Sequence, residues 1–308
     1  MRIRLLLLLP GLLFVLLEFM GWTMPMSVQL GVFLAGLLML GVPHGAADLL
    51  VADHVVRRDG GQFRIFTFLF AYLGRIVLFG LLLWLLPWVG LGLFLLISAF
   101  HFGETDLSRH ELSGFWGKAF IVTYGMMLLG ILLLTHLDEV QPLLAFLERG
   151  SDISVWMSML ERWRSITLVL FFTALSFTGL MVHRRHPSFF RSWFRTEAFL
   201  FPVMLLLLWR LPLLLGFTFY FIGWHSVISL SSIMRYLVSI NGVAAGRVWK
   251  QMLLYSGLAI AGTMLIGASG FMFTEVNAML WYAFMSLAVL TGPHMEVMHD
   301  MYGALRRK

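Results

Sequence analysis

Runs of about 20 apolar residues recur along nearly the whole chain, and each is long enough to cross a hydrocarbon core about 30 Å thick at about 1.5 Å of rise per residue. In lipid a backbone must satisfy its own N–H and C=O groups, so such runs are read as helices; no alternating ten-residue pattern suggests a barrel. Composition agrees. Of 308 residues, 60% are hydrophobic and only 12% charged, too few charges for an ordinary water-facing surface. The chain is therefore expected to be an all-α, polytopic integral membrane bundle. Breakers and hydropathy place ten crossings at about 5–21, 27–50, 66–86, 88–106, 117–136, 165–182, 197–212, 214–238, 251–273 and 276–299, with eight or nine as the alternative count. The third and fourth meet at Pro87-Trp88 and the seventh and eighth at Arg210-Leu211-Pro212, so tight turns are predicted at both.

The formal net charge is +6, and the basic residues concentrate in short loops. With Arg2 and Arg4 inside, the inside loops carry Arg57, Arg58 and Arg64, then Arg109 and Lys118, then Arg184, Arg185, Arg191 and Arg195, then Arg247 and Lys250, and finally Arg306, Arg307 and Lys308. The long outside stretch, about 137–164, is the acidic one, and its Trp156, Met157, Leu160 and Trp163 suggest an amphipathic segment on the interface. Ten crossings with both termini cytoplasmic in a cell membrane satisfy the positive-inside rule. No basic patch interleaves with aromatics, so nucleic-acid binding is not expected. The basic start and Leu5–Leu17 resemble a signal peptide, but no small-x-small cleavage site follows, and an uncleaved first helix is preferred. No repeat or linker divides residues 1–308, which are read as a single integral domain.

Four polar islands interrupt this apolar background: Gly41–Asp48, Ala99–Asp106, Gly223–Ser226 and Gly292–Asp300. Each contains a histidine, and the topology puts His44, His101, His225 and His294 on four helices that run in the same direction, all in the same half of the membrane. Ionisable groups at membrane depth are costly and usually face a bundle interior with partners. One such histidine is ordinarily a buried ring bonded to a neighbour; four at similar depth, with carboxylates beside them, point to a metal. There is no cysteine, so any metal must be held by nitrogen or oxygen. Asp48 follows His44 by four positions and Glu104 follows His101 by three, spacings that share a helical face; with Asp106, these acids are candidates to orient the imidazoles or to be ligands themselves. Phe100, Phe102, Phe221, Trp224 and Met295 are placed to line an apolar pocket. His54, His110, His136, His183 and His186 read as loop or headgroup residues, and His299 stays undecided.

At these positions the sequence resembles the Brp/Blh family of membrane β-carotene 15,15'-dioxygenases. The matching signatures are Pro43-His44-Gly45 with Asp48, His101-Phe102-Gly103-Glu104 with Asp106, Trp224-His225-Ser226, and Pro293-His294, in the family's order over most of the chain. The resemblance implies a non-haem Fe(II) enzyme that uses O2 to split the central double bond of β-carotene, or a related carotenoid, into retinal, with a functional link to a retinal-binding rhodopsin. It also implies His44, His101 and His225 as iron ligands. The family often has a further histidine where this chain has Ser229, which leaves two alternatives: His294 completes the site, or three histidines and water do. Two other functions stay open on the residues alone. A transporter would use intramembrane His, Asp and Glu as a pathway, but would distribute polar groups to both faces. A diiron desaturase or hydroxylase would need His pairs at spacing three or four within a membrane helix, and the one such pair, His183 and His186, falls in a loop ahead of Pro187.

Overall fold

The computed structural model describes residues 2–108, 110, 112–147, 153–196, 198–268 and 276–306, and all regular structure among them is helical. In chain order the helices are α1 (Arg2–Phe19), α2 (Met26–Arg58), α3 (Ile65–Leu85), α4 (Pro87–Asp106), α5 (Gly114–Leu134), α6 (Leu137–Leu147), α7 (Ser154–Arg185), α8 (Pro187–Thr196), α9 (Leu200–Arg210), α10 (Leu213–Ile240), α11 (Ala245–Ala268) and α12 (Val276–Arg306). Among the described residues, six helices are long and apolar enough to cross a membrane: α2, α3, α4, α5, α7 and α10. The bent pair α8–α9, turned by 61°, makes a seventh if it counts as one span.

Both predicted tight turns are present. Pro87 opens α4 directly after α3, where its missing N–H costs nothing, and Pro212, with ψ 149°, stands in extended backbone before α10. The expected interfacial stretch about residues 137–164 divides differently. Its first part is the separate helix α6, residues 148–152 lie outside the described residues, and Trp156, Met157, Leu160 and Trp163 occupy the opening turns of the long helix α7. Arg109, Arg307 and Lys308, counted in the charge pattern, also lie outside the described residues.

The chain forms two compact units. The first comprises residues 1–37, 98–145 and 151–227; the second comprises 38–97, 146–150 and 228–308. In the first unit the C-terminal half of α4 lies against α5 at backbone distance. A Cβ on Gly103 would collide with Ile121 O, and one on Gly125 with Ala99 O. Close approach through glycine is how membrane helices gain packing where lipid supplies no hydrophobic drive. Arg4 of α1 is buried in this unit and donates from Nη2 to the backbone carbonyl of Asp106 at 2.7 Å. In the second unit Ala47, Leu50, Val51 and Val55 of α2 pack with Ile233, Tyr236 and Leu237 of α10, Val248 and Met252 of α11, and Met298, Met301 and Tyr302 of α12.

Two of the histidine-bearing helices depart from α geometry beside their histidines. Residues Leu37–Gly41 of α2 and Thr218–Ser226 of α10 are π-helical. Such bulges are rare and concentrate at functional sites, because the extra residue per turn re-aims the side chains that follow. A break at Ala47 (φ −78°, ψ −11°) then separates His44 from Asp48.

Candidate functional site

In the second unit His44 and His294 are buried and meet edge to face, ring centroids 5.0 Å apart. Nδ1 of His294 lies 2.8 Å from Oδ1 of Asp48, and the phenol of Tyr72 donates to Oδ2 of the same carboxylate at 2.8 Å. A carboxylate accepts, so Nδ1 of His294 donates in this contact. His44 is held at the same ring nitrogen by another route. Its Nδ1 sits 3.3 Å from the carbonyl of Leu40, which can only accept. Orientation of one ring nitrogen by an acceptor is the usual support for a metal-binding imidazole.

The spacing of four between His44 and Asp48 predicts that the carboxylate serves the histidine of its own helix. The structure corrects this: the hydrogen bonds of Asp48 go to His294, 246 positions away, and to Tyr72. The reason is local. The break at Ala47 restarts the helix at Asp48, so the i, i+4 relation across it no longer holds the two side chains on one regular face.

In the first unit His101 and His225 form a second edge-on pair with centroids 4.7 Å apart, both side chains buried. Phe102 meets His225 edge to face at 4.8 Å, and Phe221 lies parallel to it at 5.8 Å with 13° between the planes. Glu104 is buried on the same helix as His101. Asp106 does not act as a simple companion of His101. Its Oδ1 accepts from the indole N–H of Trp224 at 2.8 Å, and its Oδ2 accepts from the phenols of Tyr220 at 3.2 Å and Tyr124 at 3.4 Å. Trp224 is the neighbour of His225, and Arg4 stacks over its ring at 5.9 Å. Asp106 therefore ties the end of the His101 helix to the residue beside His225.

Of the expected pocket residues, Phe102 and Phe221 pack on His225, Trp224 holds Asp106, and Phe100 and Met295 are half-buried. Ser229 is fully buried, and among the described residues its Oγ has no hydrogen-bond partner. The sequence reading missed Tyr72, Tyr124, Tyr220 and Arg4. Each tyrosine is a polar tip in an apolar run, a signal that exists but is shared with tyrosines that only pack, while Arg4 counted only toward the charge pattern of the basic start. It also passed over Arg75, within α3, which pairs with Glu296, two residues after His294, at 2.9 Å.

The donors available are imidazoles and carboxylates, which suit non-haem iron in kind. What each unit brings together is a pair of histidines; among the described residues no group of three or more His, Asp or Glu side chains has metal-holding geometry.

A family model described as β-carotene 15,15'-dioxygenase matches residues 35–302. The β-carotene 15,15'-dioxygenase of the uncultured marine bacterium 66A03 is similar to this chain, with 28% identity over 268 residues, covering 85% of this chain and 90% of that protein. No solved structure matches the chain. The matched span contains His44, His101, His225 and His294 together, and over it the chain belongs to the β-carotene 15,15'-dioxygenase family.

Proposed function

We propose that this enzyme uses O2 to cleave the central 15,15' double bond of β-carotene, or a closely related carotenoid, each carbon of that bond leaving as the aldehyde of one retinal. Family membership supports the reaction. The observation that carries it to particular residues is the pairing of four buried histidines, His44 with His294 and His101 with His225.

In this proposal Fe(II) supplies the binding and activation of O2. His44, His101 and His225 would hold it, with His294 preferred to water as the fourth, because Nδ1 of His294 is held by Asp48 as is usual for a metal-binding ring. Asp48 and Tyr72 fix that ring. Leu40 O fixes the tautomer of His44. Phe102 and Phe221 cover His225 and keep water from its ring, while Trp224 and Asp106 hold the backbone on which His225 stands. Phe100 and Met295 complete the apolar surface for a polyene, and Glu104 supplies a buried acceptor for an imidazole N–H. No side chain is assigned as acid or base, because the chemistry is oxidative.

The membrane arrangement is part of the same proposal. Adding α1, α9, α11 and α12 to the six apolar spans gives ten crossings of one integral domain, both termini cytoplasmic, with α6 and the start of α7 at the interface and α8 in the inside loop before α9. The substrate enters from the bilayer, and the retinal formed is available to a retinal-binding rhodopsin.

Expression in β-carotene-producing cells tests the reaction. Wild type is expected to bleach the cells and form retinal, with iron in the purified protein, while His44→Ala and His101→Ala do neither. Unchanged carotenoid despite good membrane expression and bound iron would remove β-carotene as the substrate.

A further inference from the structure

The first unit holds a cavity of about 340 Å³ that the proposed reaction does not use. It is lined by Phe120 and Tyr124 of α5, Leu175, Ser176, Gly179, Leu180 and His183 of α7, Phe190 and Trp193 of α8, and Phe201 of α9. The wall is almost wholly apolar, its volume is within the range of about 300–1,000 Å³ usual for small-molecule sites, and it is open on one side.

The chain that follows the cavity-lining end of α7 is of opposite character to the wall. From 184 to 195 the chain carries Arg184, Arg185, Arg191 and Arg195 and no acidic residue. All four arginines are exposed. On helix α8 Phe189, Phe190 and Trp193 turn inward, while Ser188, Arg191, Ser192 and Arg195 turn outward together with Phe194. A short helix with an aromatic face and a basic face lies in the plane of a membrane interface, with its arginines at headgroup level. His183, at the end of α7, stands at the junction of the two zones, edge-on to Phe190 at 4.8 Å.

We propose that this cavity is a binding site for an anionic phospholipid. An acyl chain occupies the aromatic cavity, and the phosphate is held by the arginines of α8 and the end of α7. The arginines also fit the inside charge pattern of the chain, but a cavity for an apolar chain beside a cluster of cations at headgroup level offers both parts of an anionic amphiphile a place. Tyr124, which lines the cavity, also donates to Asp106, the acceptor of the Trp224 indole next to His225.

The test uses the full chain, delipidated in neutral detergent and titrated with phosphatidylglycerol or phosphatidylcholine of identical chains, with adducts counted by native mass spectrometry. One saturable phosphatidylglycerol adduct is expected, about tenfold tighter than phosphatidylcholine. Arg191→Gln with Arg195→Gln, both exposed and so harmless to folding, should remove that preference. Gly179→Leu should weaken both lipids by filling the cavity, in protein that still elutes as a single species. Equal affinity for the two lipids, or a phosphatidylglycerol adduct that the arginine pair does not affect, would overturn the proposal. So would saturable displacement of the lipid by β-carotene, which would give the cavity to the substrate instead.

Discussion

His294 and Asp48 stand 246 positions apart in sequence and 2.8 Å apart in space, joined through Nδ1 and Oδ1. Tyr72 closes the other side of the carboxylate, so a third helix holds the acid that holds the ring. In the proposed reaction Asp48 is a positioning residue. Asp48→Ala should lower iron retention about 10- to 100-fold, the range typical when the partner of a ligating histidine is removed. Tyr72→Phe should cost less, because it leaves the carboxylate in place. Iron content of purified protein, measured alongside retinal formation, checks this; an Asp48→Ala protein that keeps full iron would show that the carboxylate only packs.

Asp106 has three aromatic donors and the N-terminal Arg4 at its backbone carbonyl. Asp106→Leu leaves the indole N–H and two phenols without their acceptor in a buried place, and each buried group stranded costs about 1–3 kcal/mol. Thermal unfolding in detergent should show a clear loss. Trp224→Phe removes a single donor and should show a smaller one, together with weakened iron binding if the tie to His225 holds.

Gly103 and Gly125 sit where α4 and α5 touch through their backbones. A methyl at either position meets a carbonyl oxygen that cannot swing aside, so the helices must separate. Gly125→Ala should therefore destabilise by about 1–3 kcal/mol or more, and the movement should carry His101 with it. Gly45, with open space at its Cβ position, is the control: Gly45→Ala should leave the melting temperature nearly unchanged.

Ser229 stands where the resemblance in sequence leads one to expect a histidine, and its buried hydroxyl has no hydrogen-bond partner among the described residues. Removing an unsatisfied buried polar atom relieves its desolvation, so Ser229→Ala should be neutral or stabilising, by up to about 1 kcal/mol, with retinal formation unchanged. A fall in iron binding in this variant would instead assign the serine to the metal site.

The helical class and both tight turns were legible because they rest on local physics: a backbone in lipid has to bond to itself, and Pro87 and Pro212 cannot continue a helix. The four histidines were legible for a related reason, since a polar group in an apolar run stands out wherever the chain later goes. Partnership was not. The spacing of four joined Asp48 to His44, an inference that requires an unbroken helix, whereas the π-helical turn at Leu37–Gly41 and the break at Ala47 interrupt it. Tyr72, Tyr124, Tyr220 and Arg4 were invisible as site residues because their roles depend on where their phenols and guanidinium arrive, and nothing near them in sequence says so. Along the chain, hydropathy and proline determined which segments are helices and which side chains are costly there. Tertiary packing alone decided which acceptor each of those side chains would meet, because a hydrogen bond is fixed by distance in space and the partners lie on different helices.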